Sequence, residues 1–331
     1  MSFLQFLDSN GVRRIGIPSS NGLDIQVLEG PHTLYELAIN ALNREESLEI
    51  GADRFRGSKT EQYQATVDEK RVLAPFDHPD PAHCLVSGTG LTHLGSATSR
   101  DSMHQKLASG DDLTDSMKLF KAGLDSGKKR NGQEGIQPEW FFKGNGDCIT
   151  FPEQAITVPW FDLCAGEEAE LAGIYLIDEK GNPRRIGFAI GNELSDHETE
   201  KTNYLYLAHS KLRPCSFGPE LLLKLPSQDI SGKVRILRNG IEVWNGDIST
   251  GEVNMTYDLA TLEFHHFKYE SFCHPFDVHV HFFGASILSY SSEIRPVEGD
   301  IFEIGLEGFG RPLRNEFRKG VPKLCGPVNA I

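Results

Sequence analysis

Three glutamates have the types and spacing that most directly suggest chemistry. The stretch GEEAELAGIYL, residues 166–176, is dense in apolar residues and has no helix cap before it, so it reads as a β-strand. Side chains alternate faces along a strand, so Glu168 and Glu170 point the same way, onto the face that continues as Ala172, Ile174 and Leu176. DEKGNP then turns the chain and RRIGFAIGNELS returns it. A hairpin symmetric about Lys180–Gly181 sets Leu171 opposite Ile190, Glu170 opposite Gly191 and Glu168 opposite Glu193. Three like charges so placed repel, and each raises the others' pKa unless a cation neutralises them. Two readings fit. The carboxylates stand in water at a strand end, or they hold a hard divalent ion such as Mg²⁺.

The elements that must position these groups are mostly strands. Residues 1–30 read as short strands parted by DSNG and SSNG turns. PHTLYELAINALN (31–43) follows as a helix with Leu34, Leu37, Ala38 and Leu42 on one face, and YQATVDEKRVLAPF (63–76) reads as strand-like. The proline-broken DHPDPAHC marks a linker. A small N-terminal α/β domain is expected over 1–76, and a large mixed β-roll catalytic domain over 77–331, an α+β chain overall. KVRILRNGIEVWNGD carries a hairpin turn at RNG, and DVHVHFFGASIL is another strand. A helical and loop excursion interrupts the strands at 101–137. There DDLTDSMKLFKAGLD opens with cap residues, and SGKKRNGQEG is too polar and glycine-rich to pack. Lys128, Lys129 and Arg130 in that loop read as a solvated charge run or as a lid for an anionic substrate. The HVH of 279–281 puts two imidazoles on one strand face, with no third ligand at useful spacing.

Composition narrows the classes. The 331 residues are 39% hydrophobic and 24% charged, ordinary for a globular chain with a sizeable core. A net charge of −14 argues against nucleic acid or an anionic membrane as partner, but a local cation can still attract a small anion. Six scattered cysteines without a CxxC pair read as free thiols in a reducing cytosol. No stretch approaches the roughly 20 apolar residues of a membrane helix, and MSFLQFLDSN does not read as a signal peptide. A cytoplasmic protein is expected.

The combined motifs resemble the core of the fumarylacetoacetate hydrolase family over roughly residues 80–310. EEAELAG matches its E-x-E-L-A strand and GNELS its N-D-x-S segment, and a lysine precedes the step Gly218–Pro219. RPVEGDIFEIG (295–305), PEWFFKGNG (138–146) and VSGTGLTHLGSA (86–97) resemble further family segments. The resemblance implies Mg²⁺ or Mn²⁺ on Glu168, Glu170 and Glu193, catalytic roles for Lys211, Lys143 and His93, and a homodimer. His93 reads equally as a satisfied structural histidine. Three departures stand out: Glu193 replaces the usual aspartate, Gly305–Leu306–Glu307 replaces G-T-P, and Ser96 stands where the H-x-x-E dyad needs its carboxylate. GTGLTHLGSATSRDSMH and GNELSDHETEKTNYLYLAHSK are similar instead to the sugar-acid branch, the 2-keto-3-deoxy-arabonate dehydratases.

That branch implies a small anionic 2-keto acid as substrate. Chelated through its carboxylate and C2 carbonyl, it loses a C3 proton to give a stabilised enolate and expels the C4 hydroxyl. A 2-keto-3-deoxy sugar acid would thus give a semialdehyde such as 2,5-dioxopentanoate. A lysine beside the metal in a partly dry pocket is expected to have a lowered pKa and to serve as the base. The alternatives are a C–C hydrolase or decarboxylase of a 2-oxo acid, or a non-catalytic metal- or sugar-acid-binding protein.

Overall fold

A computed structural model describes residues 1–93, 115–323 and 326–331. Ser96, Asp101, Cys325 and the first part of the 101–137 excursion lie outside the described residues. The strands are β1 (Ser2–Leu7), β2 (Arg13–Pro18), β3 (Asp24–Leu28) and β4 (Arg56–Gln62), then β5 (Cys84–Gly88), β6 (Phe141–Asn145), β7 (Ala155–Val158) and β8 (Ala165–Gly166). There follow β9 (Ala169–Ile177), β10 (Pro183–Asn192), β11 (Ser195–Asp196), β12 (Ser216–Leu222), β13 (Ile230–Arg238) and β14 (Ile241–Thr250). The last are β15 (Val278–Phe282), β16 (Ile301–Leu306) and β17 (Leu313–Lys319).

Ten of these strands form one sheet in the order β4-β3-β2-β1-β12-β10-β9-β15-β5-β6, and five form a second, β14-β13-β16-β17-β7. The architecture is mixed and strand-rich, as expected. Every residue of β9 is buried, because both its faces are covered. Ala172, Ile174 and Leu176 join a core with Phe217, Val280 and Phe282, while Leu171 and Tyr175 pack with Val234, Ile248 and Ile304 of the second sheet. The N-terminal strands continue the large sheet, with Ser2 opposite Leu222 and Phe3 opposite Leu221.

Several local expectations hold for stated physical reasons. Asn239 and Gly240 take φ of 53° and 79° between the paired Arg238 and Ile241, the two left-handed residues that a tight hairpin needs. Helix Leu34–Asn43 begins at Thr33, whose hydroxyl accepts from the Glu36 N–H at 3.0 Å. One reading is corrected: YQATVD (63–68) is a helix, not a strand. Tyr63 and Thr66 are its buried positions, a spacing of three that a helix brings to one side. The strand lies just before it, in the polar RGSKTEQ of β4, which takes the sheet's edge where charged side chains belong.

Candidate metal centre

The register set the glutamates' positions, and the structure bears it out at the site. Ile190 faces Leu171 and Gly191 faces Glu170, and the Glu193 N–H donates to the Glu168 carbonyl at 3.0 Å. Nearer the turn the pairing is offset by one, with Arg185 opposite Tyr175. A bulge between Arg185 and Gly187 takes up the extra residue, so that Gly187 faces Ile174. The frame that aligns the carboxylates is made by this bulge rather than by the turn.

Glu168, Glu170 and Glu193 offer ligand oxygens within 4.8 Å of one another, and all three side chains are buried. The solvated strand end is therefore not what is found. Two lysines reach into the cluster from different elements. Lys211 Nζ donates to Glu168 Oε1 and Glu193 Oε2, each at 2.6 Å, and sits 4.5 Å from the centre of the Phe141 ring. Lys143, on β6, donates to Glu193 Oε1 at 2.6 Å and to the carbonyls of Leu194 at 2.8 Å and Lys211 at 3.0 Å. Those three bonds use all three of its protons. Ser195 Oγ adds a 2.8 Å bond to Glu193 Oε2, and the Gly284 N–H donates to Glu170 Oε2 at 2.6 Å.

The electrostatics differ from site to site. Burial opposes charge on Glu168, but Lys211 and His197 outweigh it and hold the carboxyl below its ordinary range. Burial and then the Glu168 and Glu193 charges push Glu170 well up. Burial would lower Lys211, but Glu168, Glu193 and Glu170 together raise it. The chain alone thus keeps Lys211 a firm ammonium, opposite to the lowered lysine expected beside a metal. A divalent cation among the three carboxylates would offset the repulsion that pushes Glu170 up. Buried charge without a partner is costly, and an all-oxygen donor set suits a hard divalent cation. The residues fit such an ion.

His93 is buried, and among the described residues its ring nitrogens meet Thr92 Oγ1 at 2.9 Å and Thr250 Oγ1 at 2.8 Å rather than a carboxylate. Burial lowers its pKa to about 4, so the ring is neutral. Thr92 itself bonds the Phe283 carbonyl, one residue from the Gly284 amide on Glu170. His279 and His281 lie in a separate buried cluster. His266 of helix Leu259–Phe267 supplies the third imidazole there, its Nε2 3.0 Å from His279 Nδ1. His281 is spent on Ser87 and Thr89. Among the described residues, the glutamates and not these histidines gather ligand atoms for a metal. Lys128 and Lys129 turn to the Glu252 carbonyl and Glu134, at 2.6 and 2.5 Å.

Three site residues escaped the sequence reading. Arg213 is buried between Asp162 and Asp196, at 2.6 Å from each, and pins the loop that carries Lys211. His197 is buried, with no hydrogen-bond partner on Nε2 among the described residues. Glu200, part-buried, is pushed up to about 7 by burial, against Lys211 and with Glu168. His197 and Glu200 share one signal, DHETE (196–200), a cap residue and charges shortly after the third glutamate.

No protein-family model matches the chain. It is 28% identical over 232 residues to 2-dehydro-3-deoxy-D-arabinonate dehydratase of Saccharolobus solfataricus, covering 66% of this chain and 68% of the relative. A solved structure of 2-keto-3-deoxy-D-arabinonate dehydratase complexed with magnesium and 2,5-dioxopentanoate matches with a TM-score of 0.69 at 19% identity, over 97% of this chain and 99% of that one. A 5-carboxymethyl-2-hydroxymuconate delta-isomerase from Mycobacterium smegmatis matches with a TM-score of 0.58 at 16% identity, over 97% of this chain and all of the other. The resemblance read from the motifs agrees with these comparisons: the chain is similar in sequence to a sugar-acid dehydratase and shares the fold of the solved dehydratase and isomerase structures.

Proposed function

We propose that the protein is a divalent-metal-dependent dehydratase of a 2-keto-3-deoxy sugar acid, releasing a semialdehyde such as 2,5-dioxopentanoate. The observation that supports this reading most strongly is the buried triad of glutamates knit together by two buried lysines. Glu168, Glu170 and Glu193 would hold Mg²⁺ or Mn²⁺, which supplies Lewis acidity toward the substrate's carboxylate and C2 carbonyl. Lys211 has the catalytic role: its ammonium, between two carboxylates, can exchange one of them for an anionic substrate and deliver a proton to the departing hydroxyl. Lys143, with every proton engaged, positions Glu193 and the Lys211 backbone. His93 is a neutral positioning group behind Thr92, because among the described residues threonine hydroxyls rather than a carboxylate orient its ring. This favours elimination over C–C hydrolysis.

Free thiols at the described cysteines support a cytosolic setting. Trp160, Phe161, Leu163, Leu205 and Leu212 are exposed on the segments that carry the site and support a homodimer. Incubation with Mg²⁺ and either a 2-keto-3-deoxy-pentonate or an acylpyruvate tests the reaction class. Semialdehyde from the first and no cleavage of the second is expected; the reverse pattern overturns the reading.

A further inference from the structure

Two cysteines join the segments that deliver the two lysines. Cys148 ends the short turn Gly146–Cys148 that follows β6 and Lys143, and Cys215 lies between the Lys211–Arg213 loop and β12. Their sulfurs are 3.8 Å apart. The backbones are tied as well, with the Cys215 N–H on the Cys148 carbonyl at 2.9 Å and the Thr150 N–H on the Cys215 carbonyl at 2.7 Å. A disulfide needs its sulfurs at about 2.05 Å, so closure asks for less than 2 Å of relative movement between two thiols that already touch.

Their surroundings differ in a useful way. Cys148 is half-buried and lines a cavity of about 500 Å³ together with Lys143, Trp160 and Arg213. Cys215 is wholly buried behind it. The Cys215 thiol, donating to Cys148, holds the latter below the usual thiol range against its burial, with Lys143 helping. Burial pushes up Cys84, Cys164, Cys273 and Cys215 itself. A reachable sulfur with its resolving partner behind it is the arrangement of a redox-responsive pair.

We propose that Cys148 and Cys215 form a dithiol that a hydroperoxide oxidises reversibly to a disulfide. The Cys148 thiolate attacks one peroxide oxygen, the O–O bond breaks, and Cys148 becomes a sulfenic acid as the first water or alcohol leaves. The Cys215 sulfur then attacks the sulfenic sulfur; the S–S bond forms and a second water departs with the Cys215 proton. The dithiol loses two electrons and the peroxide gains two. The bond would fasten the two lysine-bearing segments to each other beside the contact from Lys143 Nζ to the Lys211 carbonyl.

The test uses the reduced full-length chain and one equivalent of hydrogen peroxide, followed by alkylation and non-reducing peptide mapping. One linked peptide joining Cys148 to Cys215, reopened by dithiothreitol, is expected. Cys148→Ser should yield no such link and consume peroxide at least about tenfold more slowly, whereas Cys84→Ser should match the parent chain. Recovery of both thiols in alkylated form, a sulfinic acid at Cys148 with Cys215 still alkylatable, or a link through another cysteine would overturn the proposal. None of these readouts involves the substrate, so they stand apart from the test of the dehydratase reading.

Discussion

At the residue scale, the cluster separates ligands from helpers. Lys211 bonds two of the three glutamates and lies over the Phe141 ring, while Lys143 is fully committed. Replacing Lys211 by methionine keeps the stem and removes the proton donor. Turnover of Lys211→Met should fall by about 100-fold or more, the scale of a lost general acid, with cation affinity within a few-fold of the parent. Near-normal turnover would return Lys211 to a purely structural role. The glutamates and both lysines were legible from their motifs. Arg213 was not, because a lone arginine in a loop shows its meaning only when Asp162 and Asp196 close on it from distant segments.

At the element scale, the hairpin β9–β10 aligns the carboxylates and the end of β15 anchors Glu170. Gly284 has φ of +95°, and a Cβ there would lie 2.1 Å from Thr92 Oγ1. Gly284→Ala should therefore cost about 2 kcal/mol or more in denaturant unfolding and weaken cation binding through the displaced amide. Unchanged stability would mean that this junction is softer than its geometry implies. Strand existence was readable from alternation and turn residues, as at Asn239–Gly240. The bulge before Gly187 was not, since no residue type there announces an extra position, and the polar edge strand β4 lacked any apolar pattern. Residues 1–76 remain a proposed unit. They carry a small core of Leu4, Phe6, Ile25, Val27, Tyr63 and Val72, joined to the rest strand to strand.

At the scale of the whole molecule, acid should act through buried imidazoles. Burial lowers His93 and His279 to about 4 and His281 to about 3. The unfolded chain therefore binds more protons than the folded one from the ordinary histidine range down to those values, so stability present near neutrality is lost as pH falls. Glu167 and Glu200 work the other way: burial raises each to about 7, and they stabilise the fold as pH drops from there toward the ordinary carboxylate range. Comparing unfolding at pH ~7 and ~5, His281→Asn should lose about 2 kcal/mol less than the parent chain, from about 1.4 kcal/mol per pH unit. An identical loss would mean that His281 is protonated in the folded state. Among the described residues, no helix is long and apolar enough to cross a membrane.

The central claim is that Glu168, Glu170 and Glu193 hold one divalent cation, since the proposed chemistry depends on it. Calorimetric titration of Mg²⁺ or Mn²⁺ into chelator-treated protein addresses it directly. One site per chain is predicted, with a concentration-dependent rise in melting temperature as the bound state is favoured. Glu170→Gln, nearly the same shape but neutral, should weaken that site at least about tenfold, because hard cations depend on ligand charge. Unchanged affinity in Glu170→Gln, or no saturable binding by the parent chain, would contradict the account.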